Sequence, residues 1–339
     1  MNMESIEQVA VLGLGTMGPG MAQMFAAAGC RVRCYDELAS ARGTLHDRIR
    51  DNLRQMAEAG VGDHDSINSI LSRVAALNTE EEAVGTAEFV VEAAREDLAV
   101  KQDLFARVES LVSPRTILAS NTSGLPMTQI AAKMESPERA VVAHWFNPPH
   151  LVPVVEVVPG RKTSDQTIET TMGLLERIGK LPVRLRKELP GHLVDRIQIA
   201  LYREVWDLLE RGVASREDID LAVRGSMGFR LAAIGPLQVC DFAGLDIAGS
   251  VFRHLVGEIR STTDLHTVIR KLIDDGNFGL KTGKGIYDYT PESATEKRLD
   301  RDGRLLALTR LLYSNGKENN LRRDRAEADA QDEDEHARD

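Results

Sequence analysis

His144 and Glu156 stand twelve residues apart (156 − 144 = 12) at the two ends of the apolar stretch "HWFNPPHLVPVVE". Pro148 and Pro149 force a turn between them, of a kind that folds the strand "LVPVVEVV" back and brings Glu156 to the imidazole. A carboxylate accepting one ring N–H fixes the tautomer and stabilises the imidazolium. Such a pair suits removal of a hydroxyl proton while a hydride leaves the same carbon. A lone histidine at a strand end is more often a satisfied structural residue. The spacing alone leaves both readings open.

A departing hydride needs an acceptor, and "VAVLGLGTMGPGMA" offers a place for one. It contains Gly13-x-Gly15-x-x-Gly18, with Thr16 and Met17 between the last two glycines, directly after an expected strand and opening an expected helix. Gly13 permits the tight turn, Gly15 lets backbone approach a pyrophosphate, and Gly18 allows close helix–strand packing. The helix start presents N–H groups and a positive dipole end to phosphates. Asp36 closes the next strand, 21 residues past Gly15 (36 − 15 = 21), where an acid takes the adenosine ribose hydroxyls. A carboxylate there repels a 2′-phosphate, so the expected cofactor is NAD rather than NADP. Arg42 is the one nearby residue that points the other way.

Other chemistry-bearing residues follow the later strands. Glu92, Glu96 and Lys101 come after or within "EFVVEAA", and Asn121 and Ser123 lie in "ASNTSG". Charges at such places are commonly solvated, and hydroxyls and amides commonly just turn the chain. These residues also sit at the carboxyl edge of the expected sheet, where ligands of such folds bind. No metal-ligand pattern is present. Cys30, Cys34 and Cys240 read as reduced thiols.

The elements that must hold these residues alternate. "VAVLG", "RVRCYD", "EFVVEAA", "TILASN", "AVVAHWF", "VVEVVPG" and "LPVRLR" read as strands, with helical spacing in "GPGMAQMFAAAG", "ARGTLHDRIRDNLRQMAEAG", "LAVKQDLFARVESLV" and "QTIETTMGLLERIG". That alternation predicts an α/β, Rossmann-type, doubly wound and mainly parallel sheet. Pro190-Gly191 then breaks the chain, and only helical patterns follow. The expected organisation is a nucleotide-binding domain over 1–188, an all-α domain over 189–315, and a charged, disordered tail over 316–339. A net charge of −10 opposes nucleic-acid binding. No apolar run is long enough for a membrane helix, and "MNMESIEQVAVLGLG" has no basic leader region, so a cytoplasmic protein is expected.

Taken together, "GLGTMGPGMA", "VEAAREDLAVKQDLF", "SNTSG", "HWFNPPHLVPVVEVV", "PGHLVDR" and "FGLKTGKGIYDY" resemble the L-3-hydroxyacyl-CoA dehydrogenase family over about residues 7–315. The resemblance implies an NAD domain, a helical dimerisation domain and a homodimer acting on a small-molecule substrate. It implies His144 as catalytic base or acid, Glu156 as its orienting partner and Ser123 as holder of the substrate oxygen. Glu96, Lys101, Asn121 and Asn147 would line the nicotinamide side. The family's "PGFxxNR" appears here as "PGHLVDR", with His192 for the aromatic and Asp195 for the active-site asparagine. Where relatives place lysines toward the CoA phosphates, this chain has Arg48, Arg50 and Arg54. The expected substrate is a 3-hydroxyacyl compound, with a CoA thioester slightly ahead of a free hydroxy acid. Motifs are also similar to members acting without CoA, such as carnitine dehydrogenase, gulonate dehydrogenase and a pyridine-carboxaldehyde dehydrogenase of vitamin B6 breakdown. A non-catalytic dinucleotide-binding protein is the competing class.

Overall fold

The computed structural model describes residues 6–313. The β-branched runs form one eight-stranded sheet: β1 Gln8–Leu12, β2 Arg31–Tyr35, β3 Val74–Ala76, β4 Phe89–Glu92, β5 Ile117–Ser120, β6 Ala140–Trp145, β7 Val154–Pro159 and β8 Leu181–Arg184. Their spatial order is β3-β2-β1-β4-β5-β6-β7-β8. Every neighbouring pair is parallel except β6 and β7. The order reverses between β1 and β4, which makes their carboxyl ends the switch point of a doubly wound fold.

Helices α1 Gly18–Ala27, α2 Leu45–Glu58, α3 Leu98–Leu111 and α4 Asp165–Arg177 cover the sheet. Side chains alternate between its faces. Val9 and Val11 join Phe25, Ile49 and Leu175 on one side, while Ala10 and Leu12 join Leu104, Phe105 and Met127 on the other. In β6 the same alternation sends Ala143 and Trp145 to the first side. His144 therefore emerges on the second, and Glu156, between Val155 and Val157, emerges there too.

Two departures from the expected elements concern the sheet and the helix that follows β2. "ARGTLHDRIRDNLRQMAEAG" is not one helix: a turn at Ala39–Gly43 ends at Thr44, whose hydroxyl donates to Ser40 and Ala41 carbonyls, and α2 starts afresh at Leu45. Gly43 and Thr44 are weak helix formers, which favours a break at that point. The three-residue β3 carries too short a pattern to be read as a strand, yet it pairs with β2 at the sheet edge.

The chain divides into two compact units, one running to Leu193 and resuming at Asp300, the other spanning Val194–Leu299. Return of the chain after Asp300 is absent from a single cut at 188/189. The second unit is helical: α5 Val194–Glu210, α6 Arg216–Val223, α7 Pro236–Ala243, α8 Leu245–Leu255 and α9 Thr267–Asp274, with α10 Pro291–Tyr313 beginning in it. Buried Asp207 ties this unit together by accepting from Arg211 and Arg260, each at 3.1 Å. An apolar cavity of about 400 Å³ lies inside it, lined by residues including Trp206, Leu209, Ile219, Phe278 and Tyr287. Of the segments singled out from the sequence, "FGLKTGKGIYDY" contributes Phe278, Gly279, Gly285, Ile286, Tyr287 and Tyr289 to that lining, while none of the candidate catalytic or cofactor residues does. The expected tail, 316–339, lies outside the described residues.

Candidate functional site

The loop after β1 is built for close approach. Gly13 has φ +94°, and a Cβ there would lie 2.5 Å from the Ala93 carbonyl oxygen. A Cβ on Gly18 would lie 2.1 Å from the Gly13 carbonyl oxygen. Gly15, in contrast, faces open space with no atom within 4 Å of such a Cβ. Thr16 beside it is exposed, and Met17, the N-cap of α1, makes no side-chain cap. The first turn of α1 also lacks an acidic side chain. Its N–H groups and dipole end are thus open to an anion, the environment a pyrophosphate requires.

Asp36 stands just past β2, as its spacing requires, and it also shapes the loop. Its Oδ2 accepts from the Leu14 N–H at 2.6 Å and its Oδ1 from the Leu38 N–H at 2.8 Å. Arg42 donates to the Asp36 carbonyl at 2.6 Å, so its guanidinium is turned to backbone. Arg48 donates to the carbonyls of Leu14 (2.7 Å) and Gly15 (2.5 Å). It clasps the glycine loop from α2, a contact that the sequence does not signal. Burial pulls its pKa down while Asp36 opposes that shift. Arg50 pairs with Asp47 at 2.5 Å. These backbone and side-chain groups fit the phosphates and ribose of NAD.

Next along the sheet edge, Glu92 and Lys101 are each only 1 % exposed and form an ion pair at 2.6 Å. Glu92 also accepts from the Ser120 hydroxyl at 2.7 Å, and Lys101 reaches Glu96 at 3.3 Å. A buried pair is tolerable only when its remaining atoms are satisfied, and here they are. Glu96 accepts from the Thr122 hydroxyl and from the Ser123 N–H at 3.1 Å, which sets the loop carrying Asn121 and Ser123. The Asn121 Oδ1 accepts from the Trp145 N–H at 2.8 Å, tying that loop to the end of β6. Ser123 is exposed and Asn147 is exposed.

His144 and Glu156 are directly opposed in the β6–β7 register. His144 Nδ1 lies 2.8 Å from Glu156 Oε2, with both residues buried. The carboxylate can only accept, so Nδ1 carries the proton and Nε2 is the nitrogen left for proton transfer. Glu156 Oε1 accepts from the Leu193 N–H at 3.0 Å. The segment delivering that N–H turns sharply, with φ +76° at Gly191 and +47° at His192. His192 is buried, donates Nε2–H to the Thr122 carbonyl at 3.1 Å, and places its ring centroid 5.4 Å from that of His144.

The structure therefore brings His144, Glu156, Asn121, Ser123, Glu96 and Lys101 to neighbouring strand ends, beside the loop of Gly13, Gly15 and Gly18. Asp195 lies in the first turn of α5, in the other unit. Thr122, Ser120 and Leu193 were missed, because hydroxyls and a backbone N–H carry no sequence signal of such roles. Among the described residues no group of three His, Cys, Asp or Glu is arranged for a metal, and no helix is long and apolar enough to cross a membrane.

Comparison with known proteins follows the same division. Residues 8–189 match the family model "3-hydroxyacyl-CoA dehydrogenase, NAD binding domain", and residues 191–289 match "3-hydroxyacyl-CoA dehydrogenase, C-terminal domain". A 5-formyl-3-hydroxy-2-methylpyridine 4-carboxylate 5-dehydrogenase of Mesorhizobium japonicum is 37% identical over 314 residues, covering 91% of this chain and 98% of that one. A probable 3-hydroxybutyryl-CoA dehydrogenase of Bacillus subtilis is 35% identical over 290 residues, covering 85% and 99%. Among solved structures, an NAD+ dependent dismutase described as a 5-formyl-3-hydroxy-2-methylpyridine 4-carboxylic acid 5-dehydrogenase superposes with TM-score 0.85 at 36% identity, covering 92% of this chain and all of that one.

Proposed function

The chain belongs to the 3-hydroxyacyl-CoA dehydrogenase family, whose members are NAD-dependent oxidoreductases acting on CH–OH groups, and from that premise we propose a specific mechanism and substrate class. The mechanism rests on one observation, the buried 2.8 Å contact between His144 and Glu156. Bound NAD supplies the hydride acceptor. His144 Nε2 takes the hydroxyl proton as the carbon loses its hydride. The Glu156 carboxylate stabilises the imidazolium through Nδ1–H, and Leu193 N–H keeps that carboxylate oriented. Ser123 and Asn121 hold the substrate oxygen and the nicotinamide side, with Glu96 fixing their loop. Glu96 and Asn147 complete the cofactor surface, Lys101 supports it from its buried ion pair with Glu92, and Asp195 is a substrate-side residue.

For the substrate, we infer a small free acid bearing an alcohol or hydrated aldehyde, of the pyridine-carboxylate kind. Likeness to the Mesorhizobium enzyme supports this, extending over nearly the whole of both chains. Commitment of Arg48 to the glycine loop and of Arg50 to Asp47 supports it too, since neither is then turned to a CoA phosphate. An aldehyde hydrate presents the same C–H and O–H pair to hydride and proton transfer. A 3-hydroxyacyl-CoA substrate is the second reading, favoured by the Bacillus relative. NADH formation or consumption should be followed with pyridine-carboxaldehydes, carnitine, free 3-hydroxy acids and acetoacetyl-CoA. The expected result is a pyridine aldehyde preferred over acetoacetyl-CoA by at least about tenfold in kcat/KM, roughly 1.4 kcal/mol. The opposite order would establish the second reading.

We also read the enzyme as a cytoplasmic homodimer. Reduced Cys30, Cys34 and Cys240 suit that compartment, and the helical unit carries large apolar side chains in the open, Leu237 at 81 % and Phe242 at 77 % among them.

A further inference from the structure

Lys180, between α4 and β8, was singled out by no sequence motif and takes no part in the mechanism above. It is nevertheless buried, and its ammonium sits where the β6–β7 hairpin turns. Nζ donates to the Pro149 carbonyl at 2.6 Å and to the Val152 carbonyl at 2.8 Å. The same nitrogen lies 5.2 Å from the ring centroid of Trp145, the residue after His144. The turn is also closed on itself, since the Pro148 carbonyl accepts from Leu151 and Val152 N–H, each at 3.0 Å. Its other side is packed against α1, where a Cβ on Gly20 would come within 2.6 Å of Pro149 Cγ. Leu181 N–H donates to the Pro153 carbonyl at 2.9 Å and carries the chain from Lys180 into β8.

We propose that Lys180 is a positioning residue for the reaction, a clasp that fixes the β6–β7 turn and through it the contact between His144 and Glu156. The proposal rests on the reading of that pair as the proton-transfer pair. Without the clasp, a buried carbonyl and a partly buried one lose their donor, and such groups regain partners only if the backbone moves or water enters. Either change acts on the strand ends that hold the pair in register. The clasp does not need the positive charge. Burial pushes the Lys180 pKa down to about 7, and a neutral amine still offers two N–H groups for the two carbonyls. His150, in the same turn, is pushed down to about 4 chiefly by burial and is therefore neutral at physiological pH.

Lys180→Met keeps the apolar stem and removes both donors. Lys180→Gln keeps an amide donor on a side chain one bond shorter. Each is compared with wild type and with His144→Gln, using NADH-linked turnover of acetoacetyl-CoA or a pyridine-carboxaldehyde, whichever the wild type accepts. The expected result for Lys180→Met is a kcat loss of about tenfold or more, with KM and NAD affinity within about twofold, and a changed pH–rate profile. The low-field proton signal of His144 Nδ1–H, read by NMR in the substrate-free protein, should shift or broaden as well. Lys180→Gln should show a smaller loss with the same signature. Should Lys180→Met fail to fold, Lys180→Gln decides. Wild-type kcat, pH profile and proton signal in a folded variant overturn the clasp. If His144→Gln loses turnover while these variants do not, only the clasp fails. If His144→Gln itself keeps turnover, the reading of the pair fails.

Discussion

His144 has one ring nitrogen bound to Glu156, and in the proposed mechanism the other meets substrate, so its removal should cost chemistry and leave cofactor binding nearly unchanged. His144→Gln should lower turnover by about 10² to 10⁴, the usual range for a lost general base, with NAD affinity close to normal. Glu156→Gln should slow turnover as well, because the imidazolium loses its charged partner. Stopped-flow turnover and NAD titration of both variants check this, and near wild-type turnover in His144→Gln would falsify the mechanism. Asp36 carries a second expectation at this scale. Its carboxylate is held at the glycine loop by Leu14 N–H, so a 2′-phosphate meets a fixed negative charge. NAD should be preferred over NADP by at least about tenfold in kcat/KM, and equal efficiency would count against that role. The places of these residues in the fold were legible because the motifs restrict their type: a positive φ at Gly13, a carboxylate past β2 at Asp36, an imidazole opposite Glu156 at His144. His192 and Lys180 were not, since their roles come from contacts with Thr122, Pro149 and Val152, 70, 31 and 28 residues away.

Among elements, the sheet was readable wherever a run of β-branched residues was long enough to show its period, and the helix after the glycine loop announced itself by Gly18 and Pro19. β3, with three residues, had no period to show. The register of β6 against β7 depended on where the turn at 147–153 closes, and the spacing of His144 and Glu156 suggested it without fixing it. That turn also sets a pH dependence. Lys180 has a folded pKa near 7, lowered by burial, whereas in the unfolded chain a lysine titrates at about 10.4. Between those values the unfolded state binds a proton that the folded state has released, so protonation there favours unfolding. The contribution of Lys180 to stability therefore rises as pH rises from about 7 to about 10, and is flat below that window. Thermal melts across this range should show wild type gaining on Lys180→Met, which has no such group. Parallel melting curves for the two proteins would remove the buried lysine as the cause.

At the scale of the molecule, the order of units was legible from the place where strand patterns stop, but the return of the chain after Asp300 was not, because a helical pattern does not say which core it joins. In the helical unit, Ile197, Ile199, Leu237, Phe242 and Leu245 are exposed. Apolar side chains exposed in this number are the material from which an interface between copies is built. Sedimentation at micromolar concentration should give a dimer, and Leu237→Glu with Phe242→Glu should shift it to monomer while the nucleotide-binding unit keeps its NAD affinity. A single monomeric wild-type species would mean that these side chains are covered in some other way. Finally, the antiparallel pairing of β6 with β7 has a consequence for how such enzymes diversify. Acid–base partners in many sites come from distant parts of a chain, so that every insertion between them risks the geometry. Here both partners lie on one hairpin, within thirteen consecutive residues, and can be inherited as a single piece. On the proposed mechanism, whatever chooses the substrate can change loop by loop while the proton-transfer pair stays intact.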